Sequence, residues 1–155
     1  MNEEVVKESL KEEMDHLLEE ARMLLPGIQA LFGFQTIVVF NDRFGALPMF
    51  VKDAHIAGLS LVVLAIGLVI TPAAYHRMAE PGCISERTIR WASRLICGGL
   101  APLACGVSLD VFVVIYSVTT SLAVSIASGT AALLTLTGLW FVFPLAYRWR
   151  KKTRG

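Results

Sequence analysis

Four stretches of the chain contain no Asp, Glu, Lys, Arg or His: Leu24–Asn41, Ile56–Tyr75, Leu95–Leu109 and Val111–Tyr147. A hydrocarbon core of ~30 Å takes about 20 such residues per helix. Lipid offers no hydrogen-bond partner to a backbone N–H or C=O, so a crossing segment has to close its own bonds, as a helix does. Composition agrees. The 155 residues are 55% hydrophobic, too apolar for an ordinary soluble domain.

Charge is distributed unevenly between the two ends. Eight of the 13 acids lie in residues 1–20, and five of the 14 bases lie in residues 148–154. The net charge of +1 leaves no global footprint for nucleic acid. An acidic start is unlike a cleaved secretory signal, which begins basic, so no processed segment is expected. The three cysteines form no disulfide framework: Cys97 and Cys105 share one apolar run, and Cys83 lies in a polar connection.

Residues 3–25 carry the pattern of an amphipathic helix. Val6, Leu10, Met14, Leu17, Ala21 and Leu24 recur at spacings of four and three, opposite Glu8, Glu12, Asp15 and Glu19. A helix lying on lipid usually has a basic polar face, and this one is acidic. Its apolar stripe therefore points to protein contact, on its own bundle or on another subunit, or to a solvated cap. Pro26–Gly27 predicts a break or kink, with a first span over 26–41. Further spans follow over 54–75, 92–116 and 122–147, the last two separated by the hydroxyl-rich residues Ser117–Ser121. Trp140, Phe141, Phe143, Tyr147 and Trp149 form an aromatic band near the last span's end. With both termini in the cytoplasm, the connections outside hold only Arg43 and Lys52, as the bias of bases toward the cytoplasm requires.

Asp110 is the one acid inside these apolar regions. Ionisable groups within membrane segments are rare and often mark ion or proton pathways. If the third span starts near Trp91, however, about 20 residues bring Asp110 to the outer interface, where water reaches it. Gln35, near the middle of its span, and His55, at the start of the next, are the other candidate pathway residues. Gln29 and Gln35 also suit interhelical hydrogen bonding. Small residues recur every four positions at Ser93, Cys97, Ala101 and Cys105. They do so again at Ser121, Ser125 and Gly129, beside Ala123, Ala127 and Ala131, as at close helix contacts. No metal-ligand spacing, phosphate-cradling glycine motif or nucleophile–base pair is present, so neither a metal, a cofactor nor an enzymatic activity is expected.

Specific words carry a resemblance: LPGIQALFGF at 25–34, Arg43-Phe44 with Leu47, PAAYHR at 72–77, and Pro144 before the basic tail. Over about residues 17–148 the chain resembles a bacterial family of small four-span membrane proteins of unknown function. Members often carry the label sodium:proton antiporter. The resemblance implies the span count, a bacterial envelope and an acid late in the third span, where Asp110 stands. The shared Tyr75-His76-Arg77 corner reads either as an interface anchor or as a proton-entry or headgroup site.

The expected protein is an all-α, integral membrane four-helix bundle. It has an acidic amphipathic cytoplasmic helix at 1–25 and a basic cytoplasmic tail at 148–155. It sits in the bacterial inner membrane, in lipid, as a homo-oligomer or with a partner membrane protein, and without nucleic acid. The leading functional reading is a structural or regulatory subunit. The alternative is proton- or cation-coupled transport through an oligomer using Asp110. The depth of Asp110 separates the two.

Overall fold

The computed structural model describes residues 2–79 and 85–152. Pro81–Gly82, Cys83 and the last three residues of the tail lie outside the described residues. Among those described, all regular structure is helical. The elements are α1 (Asn2–Val38), a short α2 (Asp42–Gly45), α3 (Met49–Ala79), α4 (Glu86–Thr119) and α5 (Leu122–Thr137). A π-helical turn (Gly138–Val142) then leads into α6 (Phe143–Lys152). Three helices are long and apolar enough to cross a membrane: α3, α4 and the continuous segment Leu122–Tyr147.

Of the break or kink expected at Pro26, a break does not occur. Helix α1 runs through it, with Pro26 on the exposed side. Proline inside a helix removes one hydrogen bond and crowds the carbonyl four residues back, at about 3 kcal/mol or more. Packing on both sides of the proline offsets that cost. Met14, Ala21, Ile28 and Gln35 are all buried and fall every seven residues, so one seam runs from the acidic half of α1 into its apolar half. The apolar stripe of the N-terminal half thus packs on the chain's own helices. The charge-free part of α1 from Met23 onward spans about 24 Å, short of a full crossing at 1.5 Å per residue.

Helices α3 and α4 form the central antiparallel pair. Glycines set their separation. A Cβ on Gly106 would lie 2.9 Å from Val62 Cγ2 and 3.1 Å from the Gly58 carbonyl, and one on Gly99 would lie 3.0 Å from Val69 Cγ2. Val62, Ala65 and Val69 of α3 are fully buried against this face. Helix α1 packs on the α3–α4 pair, where Ala21 and Ile28 join Val62, Ala65, Val69, Ile96 and Leu103 in one core. Helix α5 packs chiefly on α4, with Ser125 and Gly129 buried and Gly129 close to the Ser108 carbonyl and Phe112.

The small-residue stripes divide accordingly. Ser125 and Gly129 face α4, whereas Cys97, Ala101 and Cys105 point outward, as do Ala123, Ala127 and Ala131. The face of α4 against α3 is instead Ala92, Ile96, Gly99, Leu103 and Gly106.

The hydroxyl-rich stretch closes the turn between α4 and α5. Thr120 adopts φ 53°, in the left-handed region, and its N–H donates to the Tyr116 carbonyl at 2.8 Å. Ser121 caps α5 by accepting from the Val124 N–H. Near the other end, the Phe143 N–H donates five residues back, to the Gly138 carbonyl. This widened turn precedes Pro144, whose ring would crowd the Trp140 carbonyl in a regular helix.

Two substitutions test these contacts. Gly106→Ala should lower unfolding stability by about 1–3 kcal/mol, because the neighbours of its Cβ include backbone. Gly98→Ala, with nothing within 4 Å of its Cβ, should be neutral or slightly stabilising in the same chemical-denaturation assay in detergent. At the turn, Thr120→Gly should gain about 1 kcal/mol by relieving the left-handed strain, and Thr120→Ala should gain none.

Candidate functional site

Three helices bring one polar side chain each to a common point. Gln35 lies in the last turn of α1, His55 near the start of α3 and Asp110 in the second half of α4. Gln35 and His55 are each 3% exposed and Asp110 is half-buried. Gln35 Nε2 donates to Asp110 Oδ2 at 2.6 Å. His55 Nε2 sits 3.0 Å from the Gln35 backbone carbonyl. A carbonyl only accepts, so Nε2 carries the proton, and in the neutral ring Nδ1 keeps its lone pair.

The helix packing dictates this meeting. Gly58 lies one turn after His55 on the buried face of α3. A Cβ there would be 3.4 Å from Asp110 Oδ1, so the close approach that Gly58 and Gly106 permit also admits the carboxylate. Toward the far end the cluster is sealed by the core around Ile28, Val62 and Leu103. Toward the 39–48 connection Phe44 stands edge-on to His55, ring centroids 5.1 Å apart. Phe44 also lines a pocket of about 310 Å³ with Asn41, Arg43, Val113 and Ser117. Phe44 thus touches both the cluster and the pocket.

Asp110 does not mark the end of its helix. Helix α4 continues nine residues beyond it, about 14 Å. Val114 and Val118 in that extension are exposed apolar side chains. The carboxylate sits in the helix packing beside Gln35.

One atom of the cluster has no partner. Gln35 Oε1 is buried and accepts no hydrogen bond. Its place beside a carboxyl group has a chemical meaning. The amide NH₂ serves an ionised Asp110, and the amide oxygen would accept from a protonated one after a half-turn of the carboxamide. One side chain can satisfy both protonation states of its neighbour.

The remaining sequence candidates fall elsewhere. Gln29 is exposed on α1. Arg43 is exposed on α2, and Lys52 donates to the Gly45 carbonyl at 2.7 Å instead of joining Asp110. Among the described residues no Lys or Arg forms an ion pair with Asp110. Tyr75, His76 and Arg77 end α3, where the Tyr75 ring contacts Trp91 at 5.1 Å and His76 Nε2 is buried without a partner. Among the described residues no three His, Cys, Asp or Glu side chains converge as metal ligands. Phe44 and Gly58 are site residues that the sequence reading missed. Gly58 stands three positions from His55, on the same helical face, and that spacing was the available signal.

A family model, the Family of unknown function (DUF6328), matches residues 3–144. The chain belongs to this family. The match takes in all three polar residues of the cluster and the whole of α3, α4 and α5. No curated protein and no solved structure matches the chain.

A double-mutant cycle on Gln35→Ala and Asp110→Ala reports the state of the carboxyl group. An ionised Asp110 predicts a coupling of about 1.5–3 kcal/mol, the range for hydrogen bonds to charged groups. Acidification should reduce it toward about 0.6 kcal/mol, the average between neutral groups in membrane helices. Unfolding in detergent across a pH series measures both.

Proposed function

We propose that this chain is a four-span protein of the bacterial inner membrane with both termini in the cytoplasm, and that the Gln35–His55–Asp110 cluster binds and releases a proton in cation-coupled transport. The observation that carries this reading is the 2.6 Å hydrogen bond between Gln35 and Asp110, beside an amide oxygen left without a donor. The amide suits either protonation state of the acid. His55 adds a second titratable ring behind it, and Phe44 touches both the cluster and the pocket at the 39–48 connection. In this reading the apolar half of α1 completes the fourth span, shorter than the others. A single bundle of this size encloses no wide pore, so transport is assigned to an oligomer.

A second reading, a structural or regulatory membrane subunit, draws on the segment Leu122–Tyr147. Only 11% of its apolar stretch is buried, against 28% for α3 and 33% for α4. Much of its surface is thus left for lipid or for a partner helix.

Proteoliposomes loaded with a pH-sensitive dye and given an opposing alkali-cation gradient separate the two readings. The transport reading expects proton flux from the wild-type protein that falls about tenfold or more in Asp110→Asn and is partly kept in Asp110→Glu. Equal, leak-level flux in all three would sink it. The subunit reading instead expects native mass measurement to find a complex larger than one chain.

A further inference from the structure

We propose that a groove between α1 and α4, at the end of the bundle opposite the polar cluster, binds the headgroup of a phospholipid bearing a primary amine, a phosphoethanolamine zwitterion. The proposal rests on the chain's being embedded in a membrane and not on proton transport.

The groove holds about 460 Å³. Its α1 wall carries Glu13 and Glu20, seven residues apart on one face, and its α4 wall carries Arg90 and Arg94, one turn apart. Leu17 and the buried Ile89 lie between them. Arg90 is held by Glu86 at 3.0 Å on its own helix. Arg94, Glu13 and Glu20 form no ion pair among the described residues. Two walls of opposite sign thus face the same space without closing on each other.

The height of the groove identifies its surroundings. The charge-free parts of the helices begin just past Arg22 on α1 and Arg94 on α4, and that of α3 ends just before His76 and Arg77. The Tyr75–Trp91 ring pair lies at the same level, and such amphipathic rings sit where headgroups meet the apolar core. Membrane lipid is present there at high local concentration.

The chemistry selects among headgroups. Guanidinium groups recognise phosphate through directed N–H donors. A purely anionic headgroup would meet Glu13 and Glu20 as like charges. The two walls carry opposite signs, Glu13 and Glu20 against Arg94 and the Glu86-held Arg90, which fits a ligand that itself carries both signs. A primary ammonium donates three hydrogen bonds, so it can bond the carboxylates, whereas a quaternary ammonium donates none.

The test is lipid retention by the purified full chain, measured by native mass spectrometry. The sample holds equimolar phosphatidylethanolamine, phosphatidylcholine and phosphatidylglycerol. The amine lipid should be retained about fivefold or more over either competitor. Glu13→Gln combined with Glu20→Gln should move the preference to phosphatidylglycerol, because only the arginine wall keeps its charge. Arg94→Gln should lower retention of every phospholipid. All of these side chains are exposed, and an unchanged unfolding midpoint checks that the fold is kept. Equal retention of the three lipids by the wild type, a wild-type preference for phosphatidylglycerol, or an unaltered preference in the double Gln variant would each overturn the proposal. So would binding of soluble phosphoethanolamine as tightly as the lipid, which would make the groove a site for a dissolved solute.

Discussion

The close approach of α3 and α4 supports everything else in this molecule. Lipid provides little hydrophobic drive between apolar helices, so association depends on how nearly the backbones can meet. Gly58, Gly99 and Gly106 remove the side chains that would hold them apart, and Val62, Ala65 and Val69 fill the space alongside. The resulting two-helix platform gives α1 a surface on which to lay its seven-residue seam. It gives α5 one helix, α4, against which to set Ser125 and Gly129. It also places Asp110 beside a glycine, where a carboxylate fits without a collision.

The polar cluster is a product of that platform and of its one charged member. A carboxyl group among apolar helices needs donors, and the donor comes from a third helix, across 75 residues of sequence. The same contact ties the end of α1 to α4, and His55 ties it to α3 through the Gln35 carbonyl. The cluster therefore joins three helices mechanically as well as offering titratable groups.

The two ends of the bundle differ in chemistry. At one end, beneath the 39–48 connection, Gln35 and His55 are buried, Asp110 is half-buried, and hydrogen bonds join Gln35 to both. At the other end charges are many and exposed, with acids on α1 and arginines on α4. That contrast gives the molecule a direction even without a membrane drawn around it.

Much of this was legible in the residues. Charge-free runs of membrane length depend only on local composition, and three of the four reappear as long apolar helices. The turn before α5 could be placed because Ser and Thr hydroxyls cap and close a chain locally, as Ser121 does. Asp110, Gln35 and His55 stood out because polar groups are costly in lipid wherever they lie. What the residues alone did not decide were matters of relation between helices. Pro26 reads locally as a break or kink, and α1 stays one helix through it because burial of Ala21 and Ile28 on either side outweighs one lost hydrogen bond. The Ser93–Cys105 stripe reads as an interface yet its cysteines and Ala101 face outward, since α3 docks on the neighbouring face of α4. That Gln35 meets Asp110, with Gly58 making room and Phe44 alongside His55, was decided by tertiary packing alone. Spacing along a helix says which residues share a face, but the crossing of two helices settles which faces meet.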